Sequence, residues 1–175
     1  TFDKSDAGFQ LVSQREWIPD LGLSWYLAVD GISLFLVVLT GILFPIAIVT
    51  TEAHHEPKPY YLWLMLLMAG SMGAFLALDL LLFFLFFEVV LVPMYFLIGG
   101  WGHGERVKAA TKFFLYTMAA SALMLVGIVS LAVLVGRETG VPTFDVRVLA
   151  ENSDVLSHTA AVLIFLSFAA AFAVK

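Results

Sequence analysis

The sequence predicts an all-α membrane protein, a polytopic bundle in which five helices cross the bilayer. Of its 175 residues, 61% are hydrophobic and 13% are charged, and the mean hydropathy is +0.97. Typical soluble domains are about 45–50% apolar and about 25% charged. The apolar residues form five runs that do not alternate between apolar and polar residues, as the strands of a membrane barrel do. Because lipid offers the backbone no hydrogen-bond partner, each run satisfies its own amides as a helix.

The five predicted spans follow from the positions of these runs. They cover about 31–50, 60–78, 80–99, 113–135 and 155–175. A helix needs about 20 mostly apolar residues to cross a hydrocarbon core, and the last run falls short of this length. We therefore expect its helix to continue past Lys175, and we expect the chain, which opens at Thr1 without a signal peptide, to be an internal piece of a longer polypeptide, incomplete at both ends.

Small residues and prolines predict how the spans pack. The second span contains two pairs of small residues spaced four apart, Gly70 with Ala74 and Gly73 with Ala77. Such pairs allow helices to approach closely in membranes. Pro45 and Pro93 lie inside spans, where each removes an amide donor, so a kink is expected at each.

The polar segments indicate the orientation. Basic residues divide equally between the two sides: Lys58, Arg106, Lys108 and Lys112 on one side, and Lys4, Arg15, Arg137 and Arg147 on the other. The cluster of basic residues in one short loop favours that side as cytoplasmic. Residues 1–30 are then an external loop, on the same side as the polar segment 137–154, and loops 51–59 and 100–112 are cytoplasmic.

Several functional classes are excluded or disfavoured. Without cysteine the chain has no disulfide, thiolate metal site or iron–sulfur ligand. A net charge of −5 offers no footprint for nucleic acid. His54 and His55, with Glu52 and Glu56, form a possible metal cluster, but an exposed polar loop is the favoured interpretation. We predict no metal or cofactor site in this chain.

Glu88 is the most informative ionisable residue. It lies nine residues into the third span, about 13 Å deep at about 1.5 Å per residue. A charge at this depth costs about 2.5–3.5 kcal/mol on insertion scales, and such residues usually face the protein interior and mark an ion or proton path. The alternative is a structural glutamate that is protonated or paired.

Three further ionisable residues are candidates. Lys175 follows the last apolar run and is either a snorkelling lysine at a span end or a lysine within the membrane, for which Glu88 is the available acid. Lys112 begins the fourth span and is expected to be an interfacial anchor. Asp79, at the tight turn before the third span, is expected to complement the dipole of the following helix.

Three segments carry a family resemblance. They are VDGISLFLVVLTGILFPIAI, LALDLLLFFLFFEVVLVPMYFLIGGWG and ERVKAATKFFLYTMAASALML. They resemble the antiporter-like membrane subunits of respiratory complex I, in particular subunit M (chain 4) of NADH:quinone oxidoreductase. The resemblance covers residues 29–175 and is weakest in the loop 137–154.

The resemblance implies a fold of fourteen helices built from two inverted repeats, of which this chain would supply helices three to seven. It implies that Glu88 and Lys175 form a proton-translocation pair, in which the lysine carries the proton and the glutamate modulates its affinity. Asp79 and Lys112 match residues of the family whose accessory roles are less settled.

The implied function is proton pumping in the cell (inner or plasma) membrane, coupled to NADH oxidation and quinone reduction elsewhere in the complex. NADH, FMN, iron–sulfur clusters and quinone would belong to that complex, with no redox centre in this chain. The partners would be other membrane subunits and the lipid bilayer. Two alternatives stay open: a subunit of a cation/proton antiporter or membrane-bound hydrogenase, and a purely structural membrane scaffold.

Overall fold

The computed structural model describes residues 2–3, 5, 8–52 and 55–175, and most of them are helical. In chain order the elements are β1 (Gln10–Ile18), β2 (Leu23–Val29), α1 (Gly31–Thr50), α2 (Pro57–Leu76), α3 (Leu80–Val89), α4 (Leu91–Trp101), α5 (Arg106–Thr139), α6 (Val146–Glu151) and α7 (His158–Val174). Short 3-10 turns cover Pro19–Leu21 and Ser153–Val155. The predicted fold class, a polytopic helical membrane bundle, is confirmed.

Within the described residues, four segments are long and apolar enough to cross a membrane: α1, α2, α3 together with α4, and α5. The helix α7 is apolar but shorter, with 17 residues. The helix α5 extends beyond the predicted range 113–135 at both ends and is about 51 Å long at about 1.5 Å per residue. Its polar ends therefore project past a hydrocarbon core of about 30 Å.

The start of α1 shows how the sequence begins a span at a defined residue. Asp30 accepts hydrogen bonds from the backbone N–H groups of Ile32 and Ser33, at 3.1 and 2.6 Å, and the Ser33 hydroxyl accepts from the backbone N–H of Asp30. This reciprocal capping box satisfies amides that have no partner within the helix. The hydrogen bond from the Ser33 backbone also holds the pKa of Asp30 below its usual value.

The third span is interrupted at Val90, one turn before Pro93. Proline has no amide to donate to the carbonyl of Val89, and its ring crowds that carbonyl. The helix therefore divides into α3 and α4, although Val90 keeps helical backbone angles of φ −62° and ψ −30°. Pro45, in contrast, lies inside α1 without interrupting it.

The region predicted as the loop 1–30 contains an antiparallel hairpin of β1 and β2, in which Arg15 lies opposite Trp25. An isolated two-stranded ribbon is marginally stable in water, and here β2 is stabilised by packing on the bundle. Tyr26 and Ala28 are buried in a cluster with Leu78. The strand β1 is largely exposed and lacks the alternating pattern that would have predicted it.

The connection between α2 and α3 lies between two other segments. On one side the backbone N–H of Leu78 donates to the carbonyl of Tyr26 at 2.9 Å, and on the other the N–H of Val146 donates to the carbonyl of Leu78 at 2.9 Å. The hairpin and the segment after α5 therefore lie at the same end of the bundle. Three of the basic residues predicted to lie on one side of the membrane share this end of the bundle: Arg15 in the hairpin, Arg137 in the last turn of α5 and Arg147 in α6. The fourth, Lys4, lies outside the described residues.

Asp79 holds this end of the bundle together. Its side chain is buried, and its Oδ1 accepts from the backbone N–H groups of Leu81 and Leu82 at 3.0 Å each, which caps α3. Its Oδ2 accepts from the backbone N–H of Ser24 in β2 at 3.0 Å. The interpretation of Asp79 as a residue that complements the start of a helix agrees with this geometry.

Replacing Asp79 by Ala is expected to lower the free energy of unfolding by about 2–3 kcal/mol, because three amides lose their acceptor. Asp79→Asn should cost less, since asparagine caps a helix well but cannot accept from Ser24 with its amide nitrogen. The measurement is the thermal unfolding of the full-length subunit in detergent. Asp154→Ala, at an exposed position, is the matched control; equal midpoints for Asp79→Ala and this control would contradict the assignment.

Candidate functional site

The candidate site centres on the last turn of α3, where Glu88 precedes the break in the third span. One carboxyl oxygen of Glu88, Oε1, is fully buried and has no hydrogen-bond partner, and it is the one such side-chain atom in the described part of the chain. Leaving a buried polar group unpaired costs about 1–3 kcal/mol, more for a charged one. Glu88 therefore contributes no hydrogen bond through Oε1 that would explain its burial structurally.

Lys175 reaches the same turn of α3 from the end of α7. Its ammonium donates a hydrogen bond to the backbone carbonyl of Phe87, the residue beside Glu88. It also lies over the Phe87 ring, with Nζ 3.4 Å from the ring centroid, in a cation–π arrangement. The structure thus brings Lys175 to the immediate neighbour of Glu88 in the chain.

Glu88 and Lys175 do not form an ion pair. Across the residues that the structure describes, the ion pairs within 4.0 Å are Lys108 with Glu105 and Arg147 with Asp145. The Lys175 ammonium therefore contacts the carbonyl and ring of Phe87, and not the Glu88 carboxyl group.

Aromatic side chains lie beside the Lys175 contact, in which Lys175 and Phe172 are themselves exposed. Phe87 lies 5.6 Å from Phe83 and 5.8 Å from Phe172, measured between ring centroids. Behind them is a buried cluster of Met124, Ile128 and Ala171. Apolar surroundings lower the effective dielectric constant, and this strengthens the electrostatic interaction between charges.

Two glycines of α2 determine how closely that helix approaches the site. A Cβ atom on Gly70 would lie 2.9 Å from Cγ2 of Val90, and one on Gly73 would overlap the ring of Phe86. Trp25 of β2 packs edge-on against the same Phe86 ring, with centroids 5.8 Å apart. Phe86 is thereby held from two sides, which limits the rotation of α3 and with it the direction of Glu88.

Two of the four predicted site residues lie away from this turn. Asp79 is at the opposite end of α3, about 13 Å from Glu88 along the helix axis, and its oxygens are used in the contacts described above. Lys112 is exposed near the start of α5. The structure therefore places Lys175 against Phe87, the residue before Glu88, and leaves Asp79 and Lys112 away from this turn.

The histidine-containing loop has a packing role at the other end of the bundle. The ring of His55 stacks on Trp101, with centroids 5.6 Å apart, its Nε2 contacts the Gly100 carbonyl at 3.1 Å, and Trp101 donates to the His55 carbonyl. His54 lies outside the described residues. Among residues 2–3, 5, 8–52 and 55–175, no three metal-ligating side chains form a group that could hold an ion.

Two buried hydroxyl groups of α5 were not predicted as site residues. Thr117 and Ser121 are 3% and 2% exposed, and each donates to a carbonyl one turn earlier in its own helix. Their spacing of four inside an apolar span is the available sequence signal. It does not distinguish a functional face from ordinary back-bonding, because it does not say which helix they face.

These features define a polytopic membrane bundle that holds an acid and an amine against one turn of an interior helix, an arrangement typical of ion and proton paths. The chain belongs to the transmembrane family described as NADH:quinone oxidoreductase/Mrp antiporter, whose model matches residues 77–175. The resemblance predicted from the sequence is confirmed.

Curated relatives carry names of two kinds of redox complex. NADH-quinone oxidoreductase subunit M of Escherichia coli K12 is 44% identical over 166 residues, which is 91% of this chain and 32% of the relative. F(420)H(2) dehydrogenase subunit M of Methanosarcina mazei is 40% identical over 150 residues, 85% of this chain and 30% of the relative. The chain spans about a third of the length of these relatives.

Solved structures agree with the family. A chain of respiratory complex I from Thermus thermophilus with bound NADH superposes with a TM-score of 0.79 at 29% identity, covering 93% of this chain and 33% of that one. A chain of the Mrp complex from Dietzia sp. shares the fold, with a TM-score of 0.74 at 21% identity, covering 91% of this chain and 18% of that one.

Gly73→Ala is expected to destabilise the full-length subunit by about 1–3 kcal/mol, because the added methyl group overlaps the Phe86 ring in a packed interface. Gly41→Ala is the matched control: its Cβ would meet only Met72 Cε at 3.7 Å, and alanine is the better helix former. Thermal unfolding in detergent compares the two. A Gly73→Ala midpoint at or above that of Gly41→Ala would contradict the close packing of α2 on α3.

Proposed function

We propose that this chain is part of the proton-translocating membrane subunit of an NADH:quinone oxidoreductase, and that Glu88 and Lys175 are its proton-translocation pair. The observation that carries the proposal is the buried, unpartnered Oε1 of Glu88 beside the residue that binds the Lys175 ammonium. A purely structural glutamate would use that oxygen in a hydrogen bond. The names of the relatives support the assignment to this class of complex.

In the proposed mechanism Lys175 carries the proton and Glu88 controls its release. With Glu88 ionised, the carboxylate stabilises the protonated lysine. When Glu88 is protonated or drawn away, the ammonium keeps only the Phe87 carbonyl and ring, and it releases its proton along the path.

The electrostatic interaction is large enough for this control. At an effective dielectric constant of about 20, two unit charges about 6 Å apart interact by about 3 kcal/mol. Moving one charge against 100 mV costs about 2.3 kcal/mol. A change in the charge of one neighbour is therefore comparable to the work of moving a proton across the membrane.

The redox chemistry belongs to other subunits in this proposal. NADH, FMN, iron–sulfur clusters and quinone would bind there, and this chain has no cysteine to ligate a cluster. Its partners would be neighbouring antiporter-like membrane subunits and lipid. Asp79 and Lys112 would have accessory roles, Asp79 by fixing the start of α3 and Lys112 by anchoring α5 at the interface.

We also propose the location and orientation. The chain would lie in the inner or plasma membrane, with residues 1–30 and 137–154 external. Residues 51–59 and 100–112 would be cytoplasmic, because three basic residues cluster in the first turns of α5.

A second candidate function, a cation/proton antiporter subunit, is favoured by one observation, the similarity of the fold to the Mrp complex chain. It predicts ion exchange that depends on sodium and continues without NADH. Proton pumping that requires NADH oxidation and is independent of sodium distinguishes the proposed function from this alternative.

Glu88→Gln in the intact complex is expected to reduce proton pumping per NADH oxidised by about 10²-fold, the lower range for loss of a positioned acid–base group. NADH oxidation by an artificial electron acceptor should be unchanged, because the redox centres lie elsewhere. Glu138→Gln, at an exposed position at the end of α5, is the control. Pumping at the control level in Glu88→Gln would remove Glu88 from the mechanism and leave a structural role.

A further inference from the structure

We propose that Ser121 of α5 is a positioning residue for Glu88, and that its hydroxyl group holds the neutral acid in the interface between the third span and α5. This inference rests on the proposed function, since it adds a residue to the same proton path. Three observations support it: the register between α4 and α5, the burial of the facing side chains, and the hydrogen-bonding capacity that is left at the Ser121 hydroxyl group.

Two contacts fix the register between α4 and the antiparallel helix α5. A Cβ atom on Gly99 would lie 3.5 Å from Cβ of Ala110. The rings of Tyr95 and Phe114 have centroids 5.5 Å apart. Four residues back along α4 thus correspond to four residues forward along α5, as antiparallel helices require.

Continuing this register brings Glu88 and Ser121 to the same depth. Glu88 is seven residues before Tyr95, and Ser121 is seven residues after Phe114. Seven residues are about two helical turns, or about 10.5 Å. The helical phase continues through Val90, whose backbone angles are helical.

Seven residues also return a side chain to the same helix face. Glu88 and Leu91 lie on the face of the third span that carries Tyr95, and Thr117 and Ser121 lie on the face of α5 that carries Phe114. Leu91, Thr117 and Ser121 are all at most 3% exposed. The Glu88 face of the third span is therefore opposite the hydroxyl face of α5.

The hydrogen bonds indicate what Ser121 offers to the acid. Its hydroxyl group donates to the Thr117 carbonyl at 2.8 Å, so its oxygen is left with acceptor capacity only. An ionised carboxylate is also only an acceptor. The two oxygens can bind each other when Glu88 carries a proton, or when a water molecule donates to both.

Ser121 thereby distinguishes the two states of Glu88. It accepts the O–H of the neutral acid and holds it against α5, away from the Lys175 amine. When Glu88 loses this proton along the path, Ser121 still donates to the Thr117 carbonyl. Both facing oxygens are then acceptors, the direct hydrogen bond is lost, and the carboxylate is free to turn toward the Lys175 amine. Ser121 forms and breaks hydrogen bonds only, and it keeps its own proton.

The test compares Ser121→Ala with Ser121→Thr and Ser130→Ala in the intact complex. Alanine keeps the helix intact because it is the best helix former, threonine retains the hydroxyl group, and Ser130 lies on the same helix beside the cavity with Gly127 and Ser167. The readouts are proton pumping per NADH oxidised and the infrared C=O stretch of the Glu88 carboxyl group, assigned by its disappearance in Glu88→Gln.

Ser121→Ala is expected to move the carboxyl band to higher wavenumber, because a hydrogen bond to the acid is lost. It should lower pumping by about fivefold, the equivalent of one hydrogen bond. Ser121→Thr and Ser130→Ala should leave both readouts near the wild-type values. If Ser121→Ala matches Ser130→Ala in band position and pumping while Glu88→Gln abolishes pumping, the inference is overturned and the proposed function stands. If Glu88→Gln itself pumps normally, the proposed function fails.

Discussion

The structure depends on one constraint: Oε1 of the Glu88 carboxyl group is buried in an apolar helix bundle and needs a polar partner there. Insertion of a charge at mid-membrane depth costs about 2.5–3.5 kcal/mol, and Oε1 of Glu88 recovers none of this cost through a hydrogen bond within the chain. Such a group persists when it faces other polar or charged partners inside the bundle. In our proposals these partners are the Lys175 ammonium, at the end of α7, and the Ser121 hydroxyl group of α5.

The rest of the fold serves to hold α3 in one rotation. At its start, Asp79 bonds to the first amides of the helix and to Ser24 of the hairpin. At its middle, Phe86 is enclosed by Gly73 and Trp25. At its end, Pro93 removes the amide that would continue the helix past Val89. These constraints act on the same ten-residue helix, so the hairpin and the packing of α2 both influence where Glu88 points.

Much of the fold could be predicted because the backbone of a lipid-exposed segment must satisfy its own hydrogen bonds, and the five apolar runs are helical. The acid inside one of these runs indicated the candidate site. The cap at Asp79 could be predicted from its position at a tight turn. The hairpin could not, because β1 is exposed and its stability comes from contacts of Tyr26 with a distant segment. Hydropathy left two interpretations of Lys175, and the contact with Phe87 depends on the packing of α7 against α3. The role that we propose for Ser121 depends on the register of α4 and α5, which no local sequence pattern encodes.

The most direct test of the central claim is the separation of the Glu88 carboxyl oxygens and the Lys175 ammonium nitrogen in a high-resolution cryo-electron microscopy structure of the intact complex. Opposite charges shift each other's protonation strongly within about 4–6 Å. We predict a separation in or near this range, with the carboxyl group inside the bundle and a polar group or water bridging any gap. A Glu88 side chain that faces lipid, or an ammonium on a different helix face with apolar side chains between the two, would contradict the account.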